Sequence, residues 1–275
     1  MRDSRDLTLG LALGGGAALG WAHIGVIEVL QDNGIEADIV AGTSIGGLVG
    51  ACYVSGNMPR LEGIARSITW FDILKAVDIK FWRSGLLGGD RIAELLSTHL
   101  GDLTFEDIAK PFGVVAADIA NDKEVLIRSG PLVEAIRAAI SLPGIFEPII
   151  REDCVLIDGG VKNPVPVSAC RQMGAEKVVA VNVTGDYKGI ARATGVVSGK
   201  AFDAGTFEVV TAAFAMVLNE LTRARLVECP ADLLITPKIG HIQPHAFNQA
   251  DTLIELGRKA ALESLPKLKS LLARE

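Results

Sequence analysis

Short and almost wholly apolar runs recur along the chain, and each is bounded by glycine, proline or polar residues. Residues 7–13 and 35–41 are the first two such runs and predict buried strands, because a strand covered on both faces shows no alternation. Between them, residues 21–33 place apolar side chains on one face of a helix, which Gly34 ends. The succession of strand, loop, helix and strand predicts a parallel sheet with right-handed crossovers.

The succession of predicted strands and helices continues through the rest of the chain. Further strands are predicted over residues 112–120, 125–128, 154–157, 178–183 and 233–235. Further helices are predicted over residues 91–99, 132–140, 212–226 and 253–272. Residues 184–205, where glycines alternate with mixed charges, predict a loop that lies either beside the site or elsewhere on the surface. An α/β protein without internal repeats is therefore expected.

Composition narrows the class of protein. The chain has 275 residues, of which 49% are hydrophobic and 22% are charged, so it is long enough for one large α/β domain and too apolar for a disordered protein. A net charge of -6 argues against a dedicated nucleic-acid binder, which normally presents a basic face. The four cysteines are widely spaced and predict neither a zinc site nor a disulfide framework, so no metal or other cofactor is expected.

Residues 7–27 are mostly apolar and raise the question of export or membrane insertion. Glycines at 14–16 and 20, together with His23, interrupt this segment, which suits a loop better than a spanning helix. We therefore expect a soluble, cytoplasmic protein that at most makes peripheral contact with a membrane. Four apolar side chains suggest such a contact, but burial in the core would explain them equally well. These are Phe81, Trp82, Leu86 and Leu87.

The segment Gly42-Thr43-Ser44-Ile45-Gly46 directly follows the second predicted strand and precedes an apolar helical segment. Gly42 and Gly46 suit a sharp turn from strand to helix, because neighbouring backbone there comes too close for a Cβ atom. Ser44 is then exposed at the start of the helix, which is the pattern of a nucleophile elbow. An ordinary turn is the alternative, since glycine and serine are common in turns.

A serine nucleophile needs donors for an oxyanion and a base for its proton. The glycines at 14–16 supply consecutive backbone N–H groups at the start of a helix, which suits an oxyanion. Asp158 ends a predicted strand and precedes two glycines, so its carboxylate is placed to reach an elbow on a neighbouring strand. A later histidine, His241 or His245, would instead complete the chain order of an α/β-hydrolase triad, although both lie in a proline-containing loop typical of a surface.

A nucleotide-binding module is a second class of interpretation. Gly14, Gly16 and Gly20 follow a predicted strand and open a helix, with a spacing close to that of a dinucleotide-binding fingerprint. Such a binder needs an acidic residue at the end of the next strand to bind the ribose. This chain has Ser44 near that point and Asp38 too early, which favours the hydrolase.

The chain resembles the patatin-like phospholipase family in four motifs that occur in the family's order and spacing. They are the glycine-rich loop, the elbow G-T-S-I-G, residues 142–148 (L-P-G-I-F-E-P) and residues 158–166 (D-G-G-V-K-N-P-V-P). The resemblance implies a three-layer α/β/α sandwich of the patatin type with a mainly parallel central sheet. It further implies a patatin-like domain over residues 7–240, with residues 241–275 as a C-terminal loop and helix packed on the same domain.

The resemblance also implies roles for individual residues. Ser44 corresponds to the nucleophile and Asp158 to the base of a dyad that hydrolyses acyl esters of lipids without a histidine. Gly15 and Gly16 correspond to the oxyanion loop. The elbow and its support comprise Gly42, Gly46 and Gly160. A weakly basic carboxylate suits this role only in a dry site that raises its pKa, because the ordinary pKa of aspartate is about 3.9.

The glycine-rich loop departs from the family pattern at two positions. Where the family has G-G-G-x-R-G, residues 15–20 read G-G-A-A-L-G, so Ala17 replaces a glycine and Leu19 replaces a basic residue. These departures bear on activity and on how anionic a head group the site accepts. The expected partner is a lipid or another acyl-ester substrate, and no oligomeric state is predicted. A patatin-like scaffold with a regulatory role is the alternative to an enzyme.

Overall fold

One sheet of eight strands forms the centre of the part of the chain that the computed structural model describes, namely residues 7–68, 96–98, 100–143, 145–193 and 206–273. The strands are β1 (Leu9–Leu13), β2 (Ile39–Thr43), β3 (Phe112–Asp118), β4 (Lys123–Ile127), β5 (Ile149–Arg151), β6 (Cys154–Asp158), β7 (Lys177–Val181) and β8 (Leu233–Ile235). Followed from one hydrogen-bonded pair to the next, the strands are linked as β5-β6-β3-β2-β1-β7-β8, and β4 also pairs with β3. Strands β3, β2, β1, β7 and β8 are parallel, whereas the pairings that involve β4, β5 and β6 are antiparallel.

Helices cover both faces of this sheet. They are α1 (Ala22–Asp32), α2 (Ile45–Val54), α3 (Met58–Ser67), α4 (Leu132–Ala139), α5 (Val167–Gln172), α6 (Tyr187–Ala193), α7 (Thr206–Glu228) and α8 (Ala250–Leu272). Short 3-10 turns occur at Ala17–Trp21, Phe105–Asp107, Gly159–Val161 and Phe247–Gln249. Double coverage explains why the central strands are apolar throughout, since both faces of each strand must exclude water.

The two largest apolar cores of the described residues lie on the two faces of the sheet, because side chains alternate along each strand. Leu11 and Leu13 of β1 belong to the larger core, which contains residues of α1, α2, α4 and α8. Ala12 of β1 belongs to the second core, which contains residues of α5 and the end of α7. Helix α8 packs along α1, and Arg258 donates to the Glu28 carboxylate between them at 2.5 Å. The arrangement is an α/β/α sandwich.

The expected α/β sandwich with a mainly parallel sheet is thus confirmed, but several boundaries differ. Strand β2 starts at Ile39 rather than at residue 35. Helix α6 lies inside the predicted loop 184–205, where Asp186 accepts hydrogen bonds from the N–H groups of Gly189 and Gly240 and so caps the helix start. Phe81, Trp82, Leu86 and Leu87 lie outside the described residues, as does most of the predicted helix 91–99.

The edge of β3 explains how two distant parts of the chain meet. Residues 116–118 of β3 pair with both β4 and β6, so these two strands lie on opposite edges. Residues 114 and 115 pair with both β4 and β2, so β2 also lies opposite β4. Strands β2 and β6 therefore share one edge of β3. Because β2 is parallel and β6 antiparallel to β3, their carboxyl ends meet.

Candidate active site

The meeting of β2 and β6 brings Ser44 and Asp158 together. Thr43, the last residue of β2, pairs with Val115, and Asp158, the last residue of β6, pairs with the adjacent Ala116. Ser44 follows Thr43 directly. The Ser44 side chain lies close enough to the Asp158 carboxylate to lower the pKa of that group. The strand pairing therefore places the two residues named from the sequence next to each other.

The turn at Ser44 has the strained geometry of an elbow. Its backbone has φ 54° and ψ -127°, a conformation that a residue with a side chain rarely adopts. A Cβ atom at Gly42 would lie 2.3 Å from the carbonyl oxygen of Gly46, and one at Gly46 would lie 2.2 Å from that of Leu13. Both glycines are needed because backbone occupies the space of a side chain. Helix α2 begins immediately afterwards at Ile45, so Ser44 projects from a fixed point.

Asp158 is a buried carboxylate that accepts a hydrogen bond from the backbone. Its side chain is 4% exposed, and its Oδ1 accepts a hydrogen bond from the Gly160 N–H at 2.8 Å. Burial raises the pKa of Asp158 from 3.8 to about 6, because an ionised carboxylate loses its hydration there. The interactions with Ser44 and Gly160 oppose that rise. Gly160 thus supports the carboxylate through its backbone.

The glycine-rich loop lies against Ser44. A Cβ atom at Gly15 would be 3.2 Å from the Cβ atom of Ser44. The peptide between Gly14 and Gly15 is held on both sides, since the Gly14 carbonyl accepts from His23 Nε2 at 2.8 Å and the Gly15 N–H donates to the Pro164 carbonyl at 2.9 Å. Such a clamp fixes the direction in which the following N–H group points.

Because of this clamp, the two glycines expected to bind an oxyanion differ in whether their N–H groups are available. The Gly15 N–H is already bonded to Pro164, whereas the Gly16 N–H has no hydrogen-bond partner within the described part of the chain. The next residue, Ala17, has φ 50°, a left-handed conformation at the position where the family pattern has a glycine. Leu19 is completely buried, so this position contributes no cation to the site.

His23 is a structural histidine. It is completely buried on α1, and burial lowers its pKa to about 4. Nε2 must carry the proton that it donates to Gly14, which leaves Nδ1 unprotonated and, among the described residues, without a partner. His23 therefore stays neutral at physiological pH and holds the loop.

Two further contacts hold the site, and both were missed in the sequence. The buried Thr43 hydroxyl donates to the Asn163 carbonyl at 2.7 Å, which ties the elbow to the segment after Asp158. Asn163 in turn donates to Glu124 and to Ser168 at 2.9 Å. The string D-G-G-V-K-N-P contains this asparagine, but its role depends on contacts that only the fold creates.

A buried arginine holds the strand that carries Asp158. Arg137, on α4 and 5% exposed, donates to the Ser141 hydroxyl at 2.6 Å and to the Glu147 carbonyl at 3.0 Å. The Asp158 N–H donates to the Ser141 carbonyl at 3.0 Å. The proline-containing corner after α4 is therefore fixed from within, and it positions the end of β6. A single arginine on an apolar helix was the only signal of this in the sequence.

Neither candidate histidine contributes to the surroundings of Asp158 in the described structure. The pKa of Asp158 is set by burial, Ser44 and Gly160. His241 is exposed and His245 half-buried in the loop before α8. Within the same residues, no group of three or more His, Cys, Asp or Glu side chains could hold a metal ion. None of the helices described has both the length and the apolar character needed to cross a membrane.

Comparison with known proteins agrees with this geometry. The patatin family model, described as patatin-like phospholipase, matches residues 11–171. The chain belongs to this family. The match includes the glycine-rich loop, the elbow at Ser44 and Asp158, and it ends within α5.

Relatives of the chain in this family are longer proteins. The chain is 34% identical over 192 residues to an uncharacterized NTE family protein of Mycobacterium tuberculosis, which covers 70% of this chain and 53% of that protein. It is 29% identical over 285 residues to lysophospholipase NTE1 of Pyricularia oryzae, covering 95% of this chain and 19% of that protein. The chain thus spans about half the length of the mycobacterial relative and a smaller share of the fungal one.

A solved structure shares the fold. The crystal structure of VipD from Legionella pneumophila matches with a TM-score of 0.61 and covers 95% of this chain and 67% of that chain. Sequence identity is 13%, so this likeness concerns the fold alone.

Proposed function

We propose that this protein is a serine hydrolase that cleaves carboxylic ester bonds of phospholipids or related lipids, with Ser44 as the nucleophile and Asp158 as the base. The observation that carries the proposal is the proximity of a strained serine elbow to a buried carboxylate with a raised pKa. Lipid as the substrate class follows from the family, in which the fungal relative is named a lysophospholipase.

The raised pKa suits the base. At pH 7 to 8 a carboxylate with a pKa of about 6 is ionised, so it is ready to accept a proton. It is also a stronger base than an exposed aspartate, which improves proton transfer from a hydroxyl. Asp158 takes the Ser44 proton as Oγ attacks the ester carbonyl, and it then returns that proton to the leaving alcohol.

The developing oxyanion needs preorganised donors. Of the three glycine N–H groups in the loop, that of Gly16 is the one with no partner among the described residues. The Ile45 N–H, at the start of α2, is the second candidate because the residue after a nucleophile commonly serves this purpose. The Gly15 N–H would have to exchange the Pro164 carbonyl for the substrate oxygen. Loss of one such donor costs about 3 to 4 kcal/mol of barrier.

The acyl-enzyme is hydrolysed in a second step, in which Asp158 activates water. Asp158, ionised again after the alcohol leaves, takes a proton from water as that water attacks the Ser44 ester. The proton then returns to Ser44 Oγ when the fatty acid leaves. Two residues therefore complete the cycle, and the chemistry requires neither a histidine nor a metal ion.

The direct test is a panel of lipid and p-nitrophenyl esters assayed with the wild-type protein, Ser44→Ala and Asp158→Asn. We expect both variants to lose turnover by about three orders of magnitude or more. A fluorophosphonate should label the wild type and not Ser44→Ala. Unchanged turnover in either variant would refute the dyad.

A matched pair of substitutions tests the histidine alternative. The double variant His241→Ala/His245→Ala should keep wild-type turnover, since neither histidine contributes to the surroundings of Asp158. If this variant instead lost activity while it remained folded, a Ser-Asp-His triad would replace the dyad.

A further inference from the structure

Helix α7 has two apolar faces, and only one of them is covered by the described residues. On the inner face Ala212 and Thr222 are buried. On the same helix, Leu218 lies beside the turn after Asp158, where a methyl group added at Gly160 would contact it at 4.0 Å. The inner face therefore joins the helix to the candidate active site. This side of α7 behaves as an ordinary packed helix.

The outer face is apolar as well. Val210, Phe214 and Val217 are 60%, 36% and 59% exposed, and their spacing of four and three residues aligns them along one side of the helix. Ala213 is exposed on the same line, and Met216, 49% exposed, lies beside it. A helix that is apolar on both sides normally has both sides covered, so the outer face indicates a binding surface.

Charge and size decide what this surface binds. No charged residue occurs between Glu208 and Glu220, so the face offers no partner to an anionic or cationic surface. The stripe extends over about two helical turns, which is about 11 Å, and its apolar area is on the order of a few hundred Å². A stable dimer buries about 800 Å² on each partner, so the face is too small to hold a second copy.

We propose that the outer face of α7 is the surface through which this protein docks on a lipid aggregate. This inference rests on the proposed function, because a lipid hydrolase meets its substrate in an aggregate. The adjoining inner side of the same helix lies beside the turn after Asp158, so docking through α7 brings the aggregate close to the site. An uncharged apolar face enters the boundary between head groups and acyl chains, and its binding does not require anionic lipid.

The test measures binding to phosphatidylcholine vesicles by co-sedimentation in a Ser44→Ala background, which prevents hydrolysis of the vesicle. Val210→Glu/Val217→Glu should lower the partition coefficient at least tenfold. Val227→Glu is the matched control, because Val227 is 85% exposed at the far end of the same helix. It should bind as its parent does. Addition of phosphatidylglycerol should change binding little.

Four outcomes would overturn the proposal. They are no binding of the parent to phosphatidylcholine vesicles, equal binding by the double variant and its parent, binding that appears only with anionic lipid, and a change from dimer to monomer caused by the double variant. The last outcome would assign the face to a second copy of the chain, and size-exclusion chromatography with light scattering detects it.

A soluble substrate separates this proposal from the proposed function. With Ser44 intact, Val210→Glu/Val217→Glu should hydrolyse p-nitrophenyl butyrate at the wild-type rate but hydrolyse vesicle lipid at least tenfold more slowly. This result also shows that the variant folds. If the wild type hydrolyses neither a soluble ester nor vesicle lipid, the proposed function fails, whatever the binding measurement shows. If the wild type hydrolyses the soluble ester, and the double substitution changes the rates on the soluble ester and on vesicle lipid to the same extent, only the docking surface fails.

Discussion

Replacing Asp158 by Asn should make this protein more stable while it abolishes activity. Burial raises the pKa of Asp158 to about 6, so above that pH the folded state contains an ionised carboxylate that would be better hydrated in the unfolded chain. Asparagine keeps an oxygen that can accept the Gly160 N–H, but it carries no charge. The variant therefore removes the electrostatic cost and leaves the packing nearly unchanged.

The magnitude follows from the pKa. For a carboxyl whose pKa is 3.8 in the unfolded chain and about 6 in the folded state, the cost to folding is about 3 kcal/mol at pH 8 and below about 1 kcal/mol at pH 4. Because the pKa of Asp158 is higher in the folded state, wild-type stability is fully present below the pKa of the unfolded chain and is lost as the pH rises through the pKa of the folded state. For a chain of this length, 3 kcal/mol corresponds to a Tm increase of about 5 °C at pH 8.

Urea and thermal unfolding of wild type and Asp158→Asn, measured from pH 4 to pH 8, test this reasoning. The difference in free energy of unfolding should grow with pH and level off above pH 7. Both proteins retain His23, so the titration of that buried histidine cancels in the comparison. A variant that is less stable at pH 8, or a difference that does not depend on pH, would refute the assignment of a costly carboxylate.

Three further outcomes are expected. The kcat/KM of ester hydrolysis should fall about tenfold per pH unit below pH 6 as Asp158 is protonated, and His241→Ala/His245→Ala should show the same profile; a flat profile down to pH 5 would contradict this. Gly46→Ala should lower the free energy of unfolding, measured in urea, by at least about 1 to 3 kcal/mol, because its Cβ would lie 2.2 Å from a backbone oxygen. Gly63→Ala on α3 is the control and should not destabilise, because its Cβ would enter open space. His23→Phe should lower kcat about tenfold or more with little change in KM, and His23→Gln, which keeps a donor for the Gly14 carbonyl, should recover part of it; equal kcat in both would remove the positioning role.

The elbow could be predicted from the sequence because its signal is local. Gly42 and Gly46 lie within two residues of Ser44, and both are required by backbone that approaches within the same turn or from the neighbouring β1. The parallel strands before and around the elbow were equally visible, since double coverage makes them apolar throughout. Local geometry and burial on both faces leave direct marks on residue type.

The proximity of Ser44 and Asp158 could be expected from the resemblance to the family, but local sequence patterns do not predict it. It depends on β6 running antiparallel beside the parallel part of the sheet, so that it meets β2 end to end on β3. Pairing between strands that are far apart in the chain has no local signal. The clamp on the Gly14 carbonyl by His23, and the use of the Gly15 N–H by Pro164, depend on the same long-range arrangement.

The pKa of Asp158 links the stability of this fold to its proposed chemistry. A carboxylate at its ordinary pKa is a poor acceptor for a serine proton, whereas one in a dry site binds that proton more tightly. Burial at the end of β6 supplies the dryness, and Gly160 and Ser44 oppose the rise in the pKa of Asp158. The same burial costs free energy of folding, so the gain in stability of Asp158→Asn and its loss of turnover should come from one cause. If the two effects could be separated, for example by a variant that lowers the pKa without loss of turnover, the carboxylate would not be the base.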